Sequence, residues 1–446
     1  MSMPNWSRLA DETVRHLQAL IRLDTTNPPG REILAAEYLA TELRAEGFEP
    51  IVLESAPGRG NLVVRLKGSG EAAPLLLYSH IDVVGAEPAH WQHPPFAGEI
   101  ADGYIWGRGA VDMKGAVAQQ LVTLLTLKRE GLSLKRDVIF AATADEETGA
   151  TYGMQWLVQH HADLVRAEYG LSEIGGYNMD FEGKPVYVIQ VAEKGMCWLK
   201  LRAKGRPGHG SQPHDDNAVV HLARAVDRLA TQGLPYHVVP AAASFLGAAG
   251  AAVGGQIGET LDRLAVPETG PSALQTLKGH SLYGYLNAIL HNTISPTGLA
   301  AGYKANVIPG EAEATLDGRS LPGFNTEMVL AEIRAVLGEA FEFEIIRDSP
   351  PVQSRSDTPL FARLAAALKR HDPQAAGVVP NMMTGGTDAK YLTGLGMATY
   401  GFAPIQLPPD LKFMELLHGH NERAPIAGLA WGIRVLYEVV KEHCEG

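Results

Sequence analysis

"VIFAATADEETG" occupies residues 138–149, and its reading decides the fold. Val138 to Ala142 form a short apolar run with β-branched residues, the pattern of a central strand, and Thr148-Gly149 opens a turn toward the helical "MQWLVQH". Between them stand three consecutive acids, Asp145, Glu146 and Glu147. Open α/β sheets gather ligand-binding side chains at the carboxyl ends of their strands, which gives such acids a purpose. The alternative is a solvated loop that caps the next helix, and the segment alone does not choose between the two.

Outward from this stretch the pattern repeats. An amphipathic segment around Trp6, Leu9, Val14, Leu17, Leu20 and Ile21 predicts a surface helix, and "REILAAEYLATELRAEGF" predicts another, ended by Gly47. Apolar runs at 51–53, 61–66 and 75–79 and a long helix over about 113–130 complete an alternation that argues for an α/β sheet with helices on both faces. Near 186 the texture changes to the β-rich "KPVYVIQVAEKGMCWLKLRAKG", followed by a loop and a helix. Residues 241–256 are rich in Ala and Gly and uncharged, which suggests a tight loop or a helix-packing insertion. From "AGYKANVIPG" through "EAEATLDGRS" and "TEMVLAEIRAVLGEA" to "FEFEII" the order strand, strand, helix, strand predicts a small split sheet. After Pro350-Pro351 the α/β texture returns, with helices at 357–370 and near 425–442 and an apolar run near 397–403. The chain of 446 residues exceeds the roughly 250–300 that one core supports. The expectation is a discontinuous first domain, 1–192 and 349–446, around an insert, 193–348.

Composition narrows the partners. Lys and Arg number 38 against 50 Asp and Glu, a net charge of −12, and no basic run interrupts the chain, so no nucleic acid is expected. The start lacks the basic and apolar regions of a signal peptide, and no apolar run approaches the ~18 residues of a membrane span. Two cysteines, Cys197 and Cys444, lie far apart and outside every motif, which favours a cytoplasmic protein without disulfides and excludes thiolate metal sites.

Several acids and histidines follow apolar runs. "PLLLYSHIDVV" places His80 and Asp82 two apart, a strand spacing that points both side chains to one face, so that one can bind a metal while the other orients the imidazole. "GRGAVDMKG" adds Asp112, "SEIGG" adds Glu173, and "ELLHGHNERAPI" adds His418 and His420. Glu146 and Glu147, if extended, point opposite ways, so one can ligate while its neighbour serves as general base. His80, Asp112, Glu147, Glu173 and His418 then form a nitrogen and oxygen ligand set that suits zinc, with cobalt or manganese able to substitute.

In order along the chain, "SHIDVV", "DGYIWGRGAVDMKG", "ADEETG", "GHGSQP", "ANVIPGEAEATLDGRSLPG", "GGTDAKY" and "HGHNE" resemble the ArgE/DapE family of di-zinc metallopeptidases, which includes aminoacylase, glutamate carboxypeptidase and carboxypeptidase S. The resemblance implies a zinc-peptidase-like mixed sheet with flanking helices and an inserted α+β, ferredoxin-like lid and dimerisation domain. It implies two zinc ions, with His80 and Glu173 on one, Glu147 and His418 on the other, and Asp112 bridging. Asp82 would orient His80 and Glu146 would be the general base. His418 is favoured over His420 by its spacing to Asn421. In the lid, His209 would reach the partner subunit's site to stabilise an oxyanion, while Asn306, Arg319, Gly385, Gly386 and Thr387 would contact the substrate carboxylate. Lys390 stands where many relatives carry Arg. The implied activity is hydrolysis of an amide beside a free carboxylate in dipeptides, short peptides or N-acyl amino acids. The alternatives are a biosynthetic deacylase acting on acetylornithine or succinyl-diaminopimelate, and more remotely an inactive metal-binding scaffold.

Overall fold

In a computed structural model that describes residues 4–181 and 183–446, the apolar run before the acids is the strand Val138–Thr143, and all six of its residues are buried. It lies between Gly60–Leu66, which runs antiparallel to it, and Leu75–His80, which runs parallel. Tyr169–Ser172 and then Ala398–Gly401 extend the parallel portion. Ile51–Glu54 and Lys184–Glu193 close the mixed sheet through antiparallel pairs. Strands covered on both faces read as continuous apolar runs, which is why these segments were plain in the sequence.

Helices cover the sheet. Lys114–Glu130 is buried continuously from Lys114 to Leu127 and ends at Gly131 in the left-handed conformation, φ 60°. It packs with Trp6–Arg22 and Ile426–Glu445, where Leu9, Val122 and Ile433 share a core. The buried Lys114 ammonium donates to the carbonyls of Leu20 (3.0 Å) and Leu23 (2.8 Å) at the end of the first helix, where the Leu20 carbonyl also takes the Leu23 N–H. A small sheet that no sequence signal announced joins Glu99–Ala101, Tyr104–Trp106 and Arg423–Pro425. Among the described residues no helix is long and apolar enough to cross a membrane.

The chain divides into two compact units, Met1–Val191 with Ser354–Asn381 and Thr387–Gly446, and Ala192–Gln353 with Met382–Gly386. The second unit contains a four-stranded antiparallel sheet in the order Thr293–Ala301, Glu311–Ser320, Gly195–Lys204, Glu342–Ser349. Helices Ala218–Gln232 and Thr326–Leu337 bury Leu222, Leu229, Val329 and Ile333 against Leu199, Leu201 and Leu316 of that sheet. With its β–α–β–β–α–β order this is a ferredoxin-like split sheet.

One detail differs from expectation, and one resolves a choice the sequence left open between a tight loop and a helix-packing insertion. The first strand of the β–β pair is Thr293–Ala301, whereas "AGYKANVIPG" gives it only its last residue, Ala301, and otherwise forms the two-residue strand Val307–Ile308. Pro296 and a bulge between Pro296 and Gly298 break the alternation of that edge strand and hide it from pattern reading. The Ala/Gly-rich stretch is a helix, Pro240–Val253, packed on Gly255–Leu264. A Cβ on Gly258 would sit 2.8 Å from the Gly250 carbonyl, so the glycines permit the close approach. Phe245 and Leu246 are fully buried and belong to the core of the insert.

Phe140 lies on the central strand with no exposed surface. Phe140→Ala is expected to cost about 3–5 kcal/mol in denaturant unfolding, the range for emptying a buried aromatic site. A loss below about 1 kcal/mol would contradict its burial.

Candidate metal centre

Three adjacent parallel strands deliver site residues at their carboxyl ends. His80 ends Leu75–His80, Asp145 to Glu147 follow Val138–Thr143, and Glu173 follows Tyr169–Ser172. Asp112 and His418 arrive from outside the sheet. The pairing of Tyr104–Trp106 with Arg423–Pro425 brings their two loops together. Glu146 and Glu147 are not extended: they begin a short 3-10 turn, Glu146–Thr148, so the turn and not strand alternation separates their side chains.

The donors form two groups that share one carboxylate, His80–Asp112–Glu173 and Asp112–Glu147–His418, with donor atoms within 4.8 Å of one another in each. His80 Nε2 is 3.1 Å from Asp112 Oδ1 and 3.6 Å from Glu173 Oε2. His418 Nε2 is 3.4 Å from Asp112 Oδ2 and 3.1 Å from Glu147 Oε2. Asp112 thus turns one oxygen to each group. His420 lies apart, with Nε2 3.2 Å from Glu87.

The electrostatics of this cluster are severe. Burial raises the pKa of Glu146, Glu147 and Glu173, and Glu173 adds to the shift at Glu146. Burial, helped by the charges of Glu173 and Asp82, lifts Asp388 to about 7, more than Lys390 and His80 offset. The imidazoles respond to the same field. Hydrogen bonds donated to Asp112 and Glu147 raise His418 to about 10, and at His80 the pull of Glu173, Asp112 and Asp82 outweighs burial and holds the proton well above the usual range. A set of nitrogen and oxygen donors that binds protons this firmly fits divalent cations, which neutralise the same negative field. Both cysteines are buried and outside the site.

Around the donors lies a supporting layer in which the sequence names Asp82 but not Asn27, Arg59 or Glu32. Asp82 accepts the backbone N–H of Glu146 (3.1 Å) and of Glu147 (3.2 Å) and the Asn27 amide (2.8 Å), while His80 Nδ1 lies 3.1 Å from the Asp82 carbonyl. Asp82 therefore fixes the imidazole and the acid turn together, although the strand ends at His80. Asp145 is structural: its carboxylate takes Arg59, Asn27 and the Tyr152 N–H, and Arg59 forks onto Glu32 at 2.8 and 2.7 Å. "LDTTNPPG" read only as a turn, and nothing local marked Asn27 or Arg59.

The remaining candidates divide between the units. His209, Asn306, Arg319, Gly385 and Gly386 belong to the second unit, and Thr387 belongs to the first. Gly385 and Gly386 group there because Lys194 N–H donates to the Met383 carbonyl (3.1 Å) and the Tyr285 hydroxyl to that of Met382 (3.3 Å). His209 is exposed on a two-residue strand, and its Nδ1 accepts from the Ser211 N–H at 3.2 Å. Asn306 is exposed beside it, its carbonyl taking the Gly210 N–H at 2.8 Å. Arg319 forks onto Asp317 at 2.6 and 3.0 Å. The Thr387 hydroxyl accepts the Ala389 N–H (3.1 Å), and Lys390 donates to the Thr387 carbonyl (2.8 Å).

Paired imidazole–carboxylate groups at the carboxyl edge of a mixed α/β sheet define the site of a metallohydrolase. Residues 76–442 match the model of peptidase family M20/M25/M40, and the chain belongs to that family. It is 27% identical to Aminoacylase-1B of Rattus norvegicus over 94% of this chain and 92% of the relative. It is 28% identical to "Probable carboxypeptidase S-like 2" of Dictyostelium discoideum over 85% and 74%. Among solved structures, the M20 family metallo-carboxypeptidase Sso-CP2 of Sulfolobus solfataricus superposes with a TM-score of 0.69 at 19% identity, covering 97% of this chain and 99% of that one. The protein is accordingly a hydrolase of the metallopeptidase and aminoacylase type.

Cation binding requires unprotonated imidazoles, and both site histidines hold their protons more firmly than a free imidazole does. Cation uptake should therefore release protons, and affinity should rise with pH. Calorimetry in buffers of different ionisation enthalpy checks this, and a pH-independent affinity without proton release would contradict it. Asp112→Asn should weaken both groups, whereas His418→Ala should spare His80–Asp112–Glu173, as read from metal content after dialysis.

Proposed function

We propose that the protein hydrolyses an amide bond next to a free carboxylate, in dipeptides, short peptides or N-acyl amino acids. The observation that carries this reading is the shared Asp112 between two three-donor groups, with Glu146 on the same turn as Glu147. In it His80, Asp112 and Glu173 hold one zinc ion, and Asp112, Glu147 and His418 hold the other. When bound, the pair supplies Lewis acidity toward the carbonyl and a water that ionises near neutral pH.

Glu146 is the general base. Burial and Glu173 raise its pKa and so strengthen its carboxylate as a proton acceptor, which takes the proton of the attacking water and returns it to the leaving amine. His209 is the oxyanion donor. The Ser211 N–H cannot accept, so its bond to Nδ1 leaves the ring proton on Nε2, the nitrogen that must donate. Asp82 orients His80. Arg319, Asn306, Gly385, Gly386 and Thr387 receive the substrate carboxylate, with Lys390 offering a point charge where a fork would be bidentate.

In this reading the second unit is a lid that also joins two copies of the chain. Its uncharged edge strand Thr293–Ala301, with Leu299 66% exposed, is suited to a homodimer contact. Two buried, unpaired cysteines agree with a cytoplasmic setting.

A panel of dipeptides, acetyl amino acids and long-chain acyl amino acids, followed by mass spectrometry of the released amino acid, tests the activity. Release abolished by a chelator is expected. Silence across the panel with turnover of acetylornithine or succinyl-diaminopimelate would move the protein to a biosynthetic deacylase, and silence on all of them would leave a scaffold. Glu146→Gln should lower kcat by about 10²–10⁴-fold with metal content unchanged. His209→Ala should lower kcat by about 10²–10³-fold, and normal turnover would remove its assigned role.

A further inference from the structure

Two metal-donor residues, Asp112 and His418, come from loops far apart in sequence, and one buried ion pair touches both. Glu422 has no exposed surface and receives four donors. Its Oε1 accepts the backbone N–H of Val111 at 2.8 Å and of Asp112 at 3.1 Å. Its Oε2 accepts the N–H of Gly109 at 3.0 Å and Arg108 Nη1 at 2.8 Å. The loop that presents Asp112 is therefore wrapped around one carboxylate.

Arg108, itself 2% exposed, uses its other terminal nitrogen on the opposite loop. Nη2 donates to the carbonyls of Gly419 (3.0 Å), His418 (3.3 Å) and, more weakly, Gly85 (3.4 Å), and the guanidinium lies over Trp91. His418 needs such a hold, because its backbone is left-handed at φ 56°, a conformation that costs a residue with a Cβ and persists only where the surroundings impose it. Asn421, also left-handed at φ 61°, is tied by its side chain to the Gln92 N–H at 2.7 Å.

We propose that Arg108 and Glu422 act as one positioning clamp that sets Asp112 against His418, and so governs cation retention in the Asp112–Glu147–His418 group. The clamp fixes two donors of that group. In the other group, His80 and Glu173 stand on strand ends that neither clamp residue touches through a hydrogen bond. Neither clamp residue meets substrate or the reacting atoms. The inference rests on the metal-centre reading and adds a selectivity that the reading does not contain.

The geometry chooses the variants. Glu422→Gln keeps the shape but replaces one acceptor oxygen with a donor, so one pair of its partners is lost. Arg108→Lys keeps the charge but offers a single nitrogen that cannot span Glu422 and the His418 loop together. Full-length protein stripped by chelation is titrated with zinc against a chromophoric competitor, and thermal unfolding of the stripped proteins is recorded alongside.

The wild type should bind two zinc ions. Each variant should weaken the Asp112–Glu147–His418 site by about tenfold or more, the range seen when supporting contacts of metal ligands are removed, and should weaken the other site, which meets the clamp only through Asp112, by clearly less. Stripped Arg108→Lys, which keeps a charge beside Glu422, should melt close to the stripped wild type, whereas stripped Glu422→Gln, which leaves Arg108 buried without its partner, should melt lower while still weakening one site more than the other. Two sites of unchanged affinity in both variants would overturn the clamp. Equal weakening of both sites with a matching fall in melting of the stripped proteins would also overturn it, as the mark of a general structural pair. Should Glu422→Gln fail to fold, Arg108→Lys decides alone. A wild type that binds fewer than two zinc ions would overturn the metal centre itself, a result distinct from failure of the clamp.

Discussion

Asp112 turns one carboxylate oxygen toward His80 and the other toward His418, and the first unit is arranged so that a nearly buried acid can do this. Placing carboxylates side by side away from water is costly, because burial and mutual repulsion both favour protonation. The shifts at Glu146, Glu147, Glu173 and Asp388 express that cost. Cations offset it, and their capture is the reason to assemble such a cluster.

Holding the cluster before any cation arrives falls to a shell of hydrogen bonds that are themselves charged. Asp82 and Glu422 play the same part in two places. Each is fully buried and accepts backbone N–H groups from a donor-bearing turn, Asp82 from Glu146 and Glu147, Glu422 from Val111 and Asp112. Backbone donors have no alternative protonation state and little freedom, so they fix a turn more firmly than side-chain contacts do. Arg59 and Arg108 supply the compensating positive charge beside Asp145 and Glu422. Breaking either pair from one side would leave a buried charge alone, at a cost of about 3–5 kcal/mol.

The donors themselves were legible in the sequence because chain and chemistry coincide there. His80, Glu147 and Glu173 follow apolar runs buried on both faces, and such runs announce themselves. Of the shell only Asp82, two residues from His80, was legible, because the other contacts join distant segments. Arg108 and Glu422 are 314 positions apart, and the three-residue strands that bring their loops together carry no pattern of their own. Asn27 lay in a stretch read only as a turn, although its amide bridges Asp82 and Asp145. In the second unit the strand Thr293–Ala301 was displaced in the reading by its proline and bulge.

The account stands on two cations sharing Asp112. Anomalous diffraction at the zinc edge, from crystals of the zinc-loaded protein, measures this directly. The prediction is two peaks, one among His80, Asp112 and Glu173 and the other among Asp112, Glu147 and His418. A single peak, or ions held by His420 and Glu87 in place of His418, would contradict it.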